Sequence, residues 1–136
     1  MPQAGHPYKQ KRNMPTYSLN HVHHEASDVH AAADWYVKLF DAAADEPFKR
    51  GGATWIRVHI GDLTVTITDR ASTGPEVERF LGYDHLGIDT DDFDATLARI
   101  EECGVDIWSG PMDAGGFRIV FINGPDNVKI ELMEKA

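Results

Sequence analysis

"LNHVHHEASDVHAAADWYVKLF" (residues 19–40) and "YDHLGIDTDDFDATLARIEECG" (residues 83–104) are two passages built to one pattern. Each opens with apolar and polar residues in alternation, the period of a half-buried strand, and then reaches an aspartate suited to cap a helix. Beyond Asp28, residues Val29, Ala32, Ala33, Tyr36, Leu39 and Phe40 recur at helical spacing. Beyond Asp91 a second helix is expected, ended by Gly104. Strand patterns follow both. After "DAAADEPF" come "ATWIRVHI" and "LTVTITDR", joined by the tight turn Gly61-Asp62, and the second helix is followed by "VDIW", "FRIVFI" and "NVKIELM". The expected fold class is therefore α+β, two βαβββ units in sequence.

The 136 residues suffice for one domain with a real core. Residues 1–15, polar and basic, read as a loose arm, and 16–136 as the domain, with unit one over about 16–73, a linker over about 74–81 and unit two over about 82–136. A net charge of −9 argues against a nucleic-acid partner, whose phosphates are held by clustered Lys and Arg. No apolar run reaches the roughly 18 residues that span a membrane. Cys103 is the single cysteine, which excludes an internal disulfide, and the opening residues lack the apolar core of a secretory signal. A cytoplasmic location is the expectation.

Overlaying the two units by their turns brings His21 onto His85 and Thr66 onto Glu131. Alternation places Val22, His24 and Ala26 on the helix side of the first strand, and His21, His23 and Glu25 on the other, open side. Likewise Leu86, Ile88, Ile130 and Leu132 face the second helix, whereas His85, Lys129, Glu131 and Met133 face away. His21, His85 and Glu131 can then line one concavity. Two imidazoles and a carboxylate are a ligand set for a divalent transition ion with open positions: Fe(II), Mn(II), Zn(II), Ni(II) or Co(II). Taken singly, each is an ordinary strand polar residue; the weight lies in their joint placement.

With the first strand and helix, their second copies through "GVDI" and the closing "FINGPDNVKIELME", the chain resembles the vicinal oxygen chelate superfamily, also called the glyoxalase, bleomycin resistance and dioxygenase superfamily, over nearly all of residues 18–134. The resemblance implies that the units form a U-shaped, incompletely closed barrel around a metal, commonly in a homodimer. It also implies that His21, His85 and Glu131 are the ligands. Glyoxalases and epimerases of that superfamily add a Glu or Gln where this chain has Thr66, a poor ligand, so the site resembles the three-ligand centres of extradiol dioxygenases and fosfomycin-resistance transferases.

The substrate expected is a small molecule that chelates the metal through adjacent oxygens. Dioxygenase-like chemistry leads, because the ligand count leaves room for O₂ and substrate. Ring-cleaving relatives carry His and Tyr where Thr64 and Phe121 stand, so acid–base work would fall to His23 or His59. A glyoxalase-like lyase or isomerase, with Glu131 as the base, is the alternative. Thiol transfer of the fosfomycin type ranks third, since those enzymes continue well beyond the last strand. A metal-free drug-binding protein is the reading from another class, with Trp55 and Trp108 as its aromatic surfaces. Arg57, His59, Arg118 and Lys129 would line the cavity with positive charge for a carboxylate or phenolate, and "SGPMDAGGFR" reads as a mobile lid.

Overall fold

The computed structural model describes residues 19–69, 83 and 85–135, so the expected arm at 1–15 and linker at 74–81 lie outside the described residues. Within the first unit, strand β1 (Val22–Glu25) leads to helix α1 (Val29–Phe40), then β2 (Ala43–Ala44), β3 (Phe48–Arg50), β4 (Ala53–Ile60) and β5 (Leu63–Thr68). The second contains β6 (Leu86–Asp89), α2 (Phe93–Glu102), β7 (Ile107–Ala114), β8 (Phe117–Asn123) and β9 (Lys129–Lys135). The α+β class and the doubled order agree with the sequence. One strand of unit one is broken in two, because β2 and β3 pair separately with β4 and Pro47, which has no N–H to give to a ladder, lies between them.

Asp28 caps α1 as expected, accepting from the backbone N–H of Ala31 at 2.9 Å. The second cap is Asp92, one residue later than expected, with its carboxylate 3.0 Å from the Ala95 nitrogen. The reason is Phe93. This first residue of α2 is buried among the core side chains, and its N–H donates to Glu134 on β9 at 2.7 Å, so helical geometry begins there.

Each sheet joins its first strand to its last in parallel. The orders are β1-β5-β4-β2, with β3 also on β4, and β6-β9-β8-β7. Val22 pairs with Val65 and Leu86 with Ile130, so the residues flanking these pairs, His21 with Thr66 and His85 with Glu131, occupy equivalent places in the two units. That is the overlay expected from the turns.

The two sheets do not close into a barrel. They are united through their helix sides: Tyr36, Val58 and Ile67 of unit one belong to the same buried cluster as Phe93, Ile122, Ile130 and Leu132 of unit two. Burying each such large apolar side chain contributes about 1.5–3 kcal/mol. The units approach closely at Gly124, where an added Cβ would lie a tight 3.3 Å from the Trp35 ring of α1. Among the described residues no helix is long and apolar enough to cross a membrane.

"SGPMDAGGFR" is not a separate lid. Residues 107–114 run as strand β7 beside β8, with register shifts after Ile107 and Ser109, and Gly115-Gly116 turn the chain into β8. Gly110 and Pro111 are accommodated because β7 is the last strand of its sheet, where a missing N–H and an irregular backbone disturb only one neighbour.

Candidate functional site

Parallel pairing of β6 with β9 brings Gly87 beside Glu131, and the neighbouring His85 reaches the same open face. His85 Nε2 lies 3.1 Å from Glu131 Oε1, with the side chains 30% and 15% exposed. Phe121, paired with Glu131 across β8, presents its ring edge-on to His85 at 5.2 Å, and Trp108 meets Phe121 edge-on at 5.5 Å. An imidazole and a carboxylate are thus set side by side against an aromatic wall. Lys129 Nζ stands 5.4 Å from the Trp108 ring and donates to the side-chain oxygens of Asn123 and Asn127.

The open face of the first sheet holds the other candidates. The register sets His23 beside Thr66 and Thr66 beside Arg57, then Glu25 beside Thr68 and Thr68 beside Trp55. His23 Nε2 is 2.8 Å from Thr68 Oγ1 and its ring is 5.7 Å from Trp55. Thr66 is buried there, only 3% exposed. One row further, His59 pairs with Thr64. His59 Nε2–H donates to the Asp45 carboxylate at 3.0 Å, and Nδ1 lies 3.2 Å from the Thr64 hydroxyl, from which it accepts in the tautomer with the proton on Nε2. His21 is exposed, its Nδ1 2.8 Å from Asn20 Oδ1.

One chain brings together His85 and Glu131 but does not add His21, for among the described residues no three His, Cys, Asp or Glu side chains are grouped to hold a metal. The strand pairings agree with the faces that alternation assigns to His23, His24 and Glu131. Alternation says nothing about whether two open faces meet, which depends on how the helix sides pack. Arg118 is a correction: it pairs with Glu134 on the helix side, bonds Asp94 at 3.1 Å and lies over Phe93, away from the open face. A hollow of about 590 Å³ between the units, lined by Phe40, Ile60, Ile88, Asp91, Thr96 and Arg99 among others, contains none of the candidate residues.

His24 faces the helix, as its alternation demands. Burial holds its imidazole below the ordinary value, against the opposing effect of Asp126, so the ring is neutral. The Asp126 carboxylate, 3.3 Å away, accepts the His24 Nε2–H, and Nδ1 accepts from Tyr36 Oη at 3.1 Å. Burial pushes the Tyr36 hydroxyl far up, keeping it a donor. For Asp126, burial alone would raise the carboxyl, but hydrogen bonds from Ser27 Oγ at 2.6 Å, from the Ser27 N–H at 3.1 Å and from His24 outweigh it and hold it below its usual value. The turn "NGPDN" therefore joins the two units. Asp126, with φ of 57°, clamps the second unit to the first strand and helix of the first.

The profile described as Glyoxalase/Bleomycin resistance protein/Dioxygenase superfamily matches residues 18–132. The chain belongs to that superfamily. Among solved structures it is similar to a glyoxylase/bleomycin resistance protein/dioxygenase domain from Frankia sp. EAN1pec, with a TM-score of 0.79, 19% identity, and coverage of 90% of this chain and 94% of that one. The fosfomycin resistance protein FosX from Listeria monocytogenes, complexed with Mn(II) and sulfate, gives a TM-score of 0.70 at 16% identity, covering 90% and 95%. TnmS3, an antibiotic-binding protein from Streptomyces sp. CB03234, gives 0.70 at 25% identity, covering 89% and 100%. A search of curated proteins finds no match.

Proposed function

We propose that this superfamily member is a divalent-metal enzyme acting on a small molecule that chelates the metal through adjacent oxygens, and that it works as a homodimer. Each site would combine His21 of one copy with His85 and Glu131 of the other. The observation that carries this reading is the 3.1 Å approach of His85 to Glu131, with His21 at the position of His85 in the other unit. Two of the three donors stand together in one chain and the third lies on the other open face, which a second copy can supply. Thr66 stands where the repeat has Glu131 and brings no carboxylate, so positions remain for substrate.

A bound divalent ion would supply Lewis-acid activation of the chelating oxygens. The protein's own residues would then orient the substrate: Phe121 and Trp108 as a wall beside Glu131, with His23 and His59 on the facing sheet to take or give a proton. Dioxygenase-like chemistry is the leading reaction, supported by two imidazoles and one carboxylate with no fourth ligand.

The test is complementation. His21→Ala and Glu131→Ala variants each lose metal; mixed and refolded together, they form hybrid dimers with one intact site, and elemental analysis should recover metal. If each site were built within one chain, mixing would recover none. Oxygen uptake with a panel of catechols, after anaerobic metal loading, then tests the reaction; no uptake with any of them counts against the dioxygenase reading.

A second reading, metal-free sequestration of an aromatic drug, draws support from the similarity to TnmS3 and from the aromatic side chains on both open faces. Protein that binds such a ligand and retains no divalent ion under any loading condition would favour it.

A further inference from the structure

Among the described residues, two arginines on the open face of the first sheet lack a counter-charge. The chain carries 22 acidic residues against 13 Lys and Arg, so carboxylates are abundant. Even so, among the described residues no carboxylate lies within ion-pair distance of Arg50 or Arg57, and neither guanidinium makes a hydrogen bond. Instead both rest on rings. Arg57 Cζ is 5.1 Å from the centre of Phe48, and Arg50 Cζ is 5.3 Å from Phe48 and 5.6 Å from Trp55.

Phe48 and Trp55 are themselves stacked at 5.8 Å with 21° between their planes, fixed by the pairing of β3 with β4 and by the bond from Trp55 Nε1 to the Arg50 carbonyl at 3.1 Å. The result is a flat, half-buried aromatic floor bearing two cations of like sign. Each guanidinium keeps five N–H donors in a planar fork matched to a carboxylate, and its cation–π contact with the rings keeps it at this face. A carboxylate would relieve the repulsion between the two cations, and an attached ring would extend the aromatic floor.

We propose that this face is a binding site for an aromatic carboxylate, held at its anionic end by Arg57 and Arg50 and flanked at its ring by Trp55 and Phe48. The inference narrows the substrate class of the site proposed above and rests on that reading only in sharing its open face; the binding itself needs no metal.

The test uses the full chain stripped of metal, so that failure of the metal centre cannot enter the result. The indole N–H resonance of Trp55, assigned with Trp55→Phe, is followed while 2-naphthoate or the uncharged 2-naphthamide is added. Naphthoate should shift that resonance and bind at least about tenfold more tightly than the amide, the gap expected when a charge-assisted bond is lost. The double variant Arg50→Gln/Arg57→Gln should weaken naphthoate by about tenfold or more, and Arg57→Lys, with charge but no fork, should fall between. Equal binding of acid and amide to the unaltered protein overturns the proposal, and so does a folded double variant of unchanged affinity. A shift confined to the Trp35 or Trp108 indoles overturns it too.

Discussion

His24 Nε2 on the first strand and Asp126 Oδ2 in the turn before the last strand stand 3.3 Å apart, joining the two units through a pair that is 5% and 12% exposed. Asp126 also holds Ser27, so one carboxylate fixes the start of α1 relative to β9. Asp126→Asn keeps the shape and tolerates the left-handed backbone but removes the charge from three hydrogen bonds. It should lower stability by about 1–3 kcal/mol in urea unfolding. An unchanged midpoint would show that the clamp is dispensable.

The same pair sets a pH dependence. The folded His24 imidazole lies below its ordinary value of 6.5, so on acidification the unfolded chain takes up the proton first. Stability contributed by His24 is therefore complete above that value and declines as pH falls below it. Asp126, also held low, adds a loss of the same sign at still lower pH, as its carboxylate is protonated. Thermal midpoints should fall between about pH 7.5 and about 5.5, and His24→Gln, though less stable at neutral pH, should show a flatter profile over that range. Equal slopes in the two proteins would assign the acid sensitivity to other groups.

Thr66 tests the ligand count. It is buried beside His23 and Arg57, so Thr66→Glu should lower stability by about 1–3 kcal/mol. If Thr66 faces the proposed metal, the variant should also hold the ion at least about tenfold more tightly against a chelator, since a fourth donor is added. Weaker retention would show that the position does not reach the centre.

Asp45 is expected to fix the tautomer of His59. Long-range nitrogen–proton spectra should report the proton on Nε2 in the parent and a mixture in Asp45→Asn, while stability changes by no more than about 0.5 kcal/mol because the pair is 37% and 56% exposed. A ring protonated mainly on Nδ1 in the parent would contradict the arrangement.

Much of this was legible in the chain because strand alternation and helical spacing are local. Val22, His24 and Ala26 against His21 and His23, or Ile130 and Leu132 against Glu131, sort themselves by face without reference to anything distant. The equivalence of His21 with His85 and of Thr66 with Glu131 could be placed as well from the turns of the repeat, whereas the parallel pairing of each first strand with the last of its unit was seen only in the structure. Asp126 and Asp45 were not legible, because each acts from a turn or strand margin on a residue far along the chain, and the direction of the side chain is set by backbone angles that composition does not encode. "SGPMDAGGFR" misled for a related reason: glycine and proline mark loops and also the irregular outer strand of a sheet. Alternation puts His21, His85 and Glu131 on open faces but describes one sheet at a time, so the single concavity expected from it is not formed within one chain among the described residues.

Strands β1 and β6 each form the margin of a sheet, four residues long and held by a single parallel neighbour far along the chain. Hairpins such as β4–β5 close over a two-residue turn, whereas these strands can dock only after a long loop has been closed, an entropic burden that delays them in refolding. Their amides should accordingly exchange with solvent sooner than those of β4, β5 and β8. His85 comes beside Glu131 only when β6 has joined β9, so that pairing is among the later events of folding.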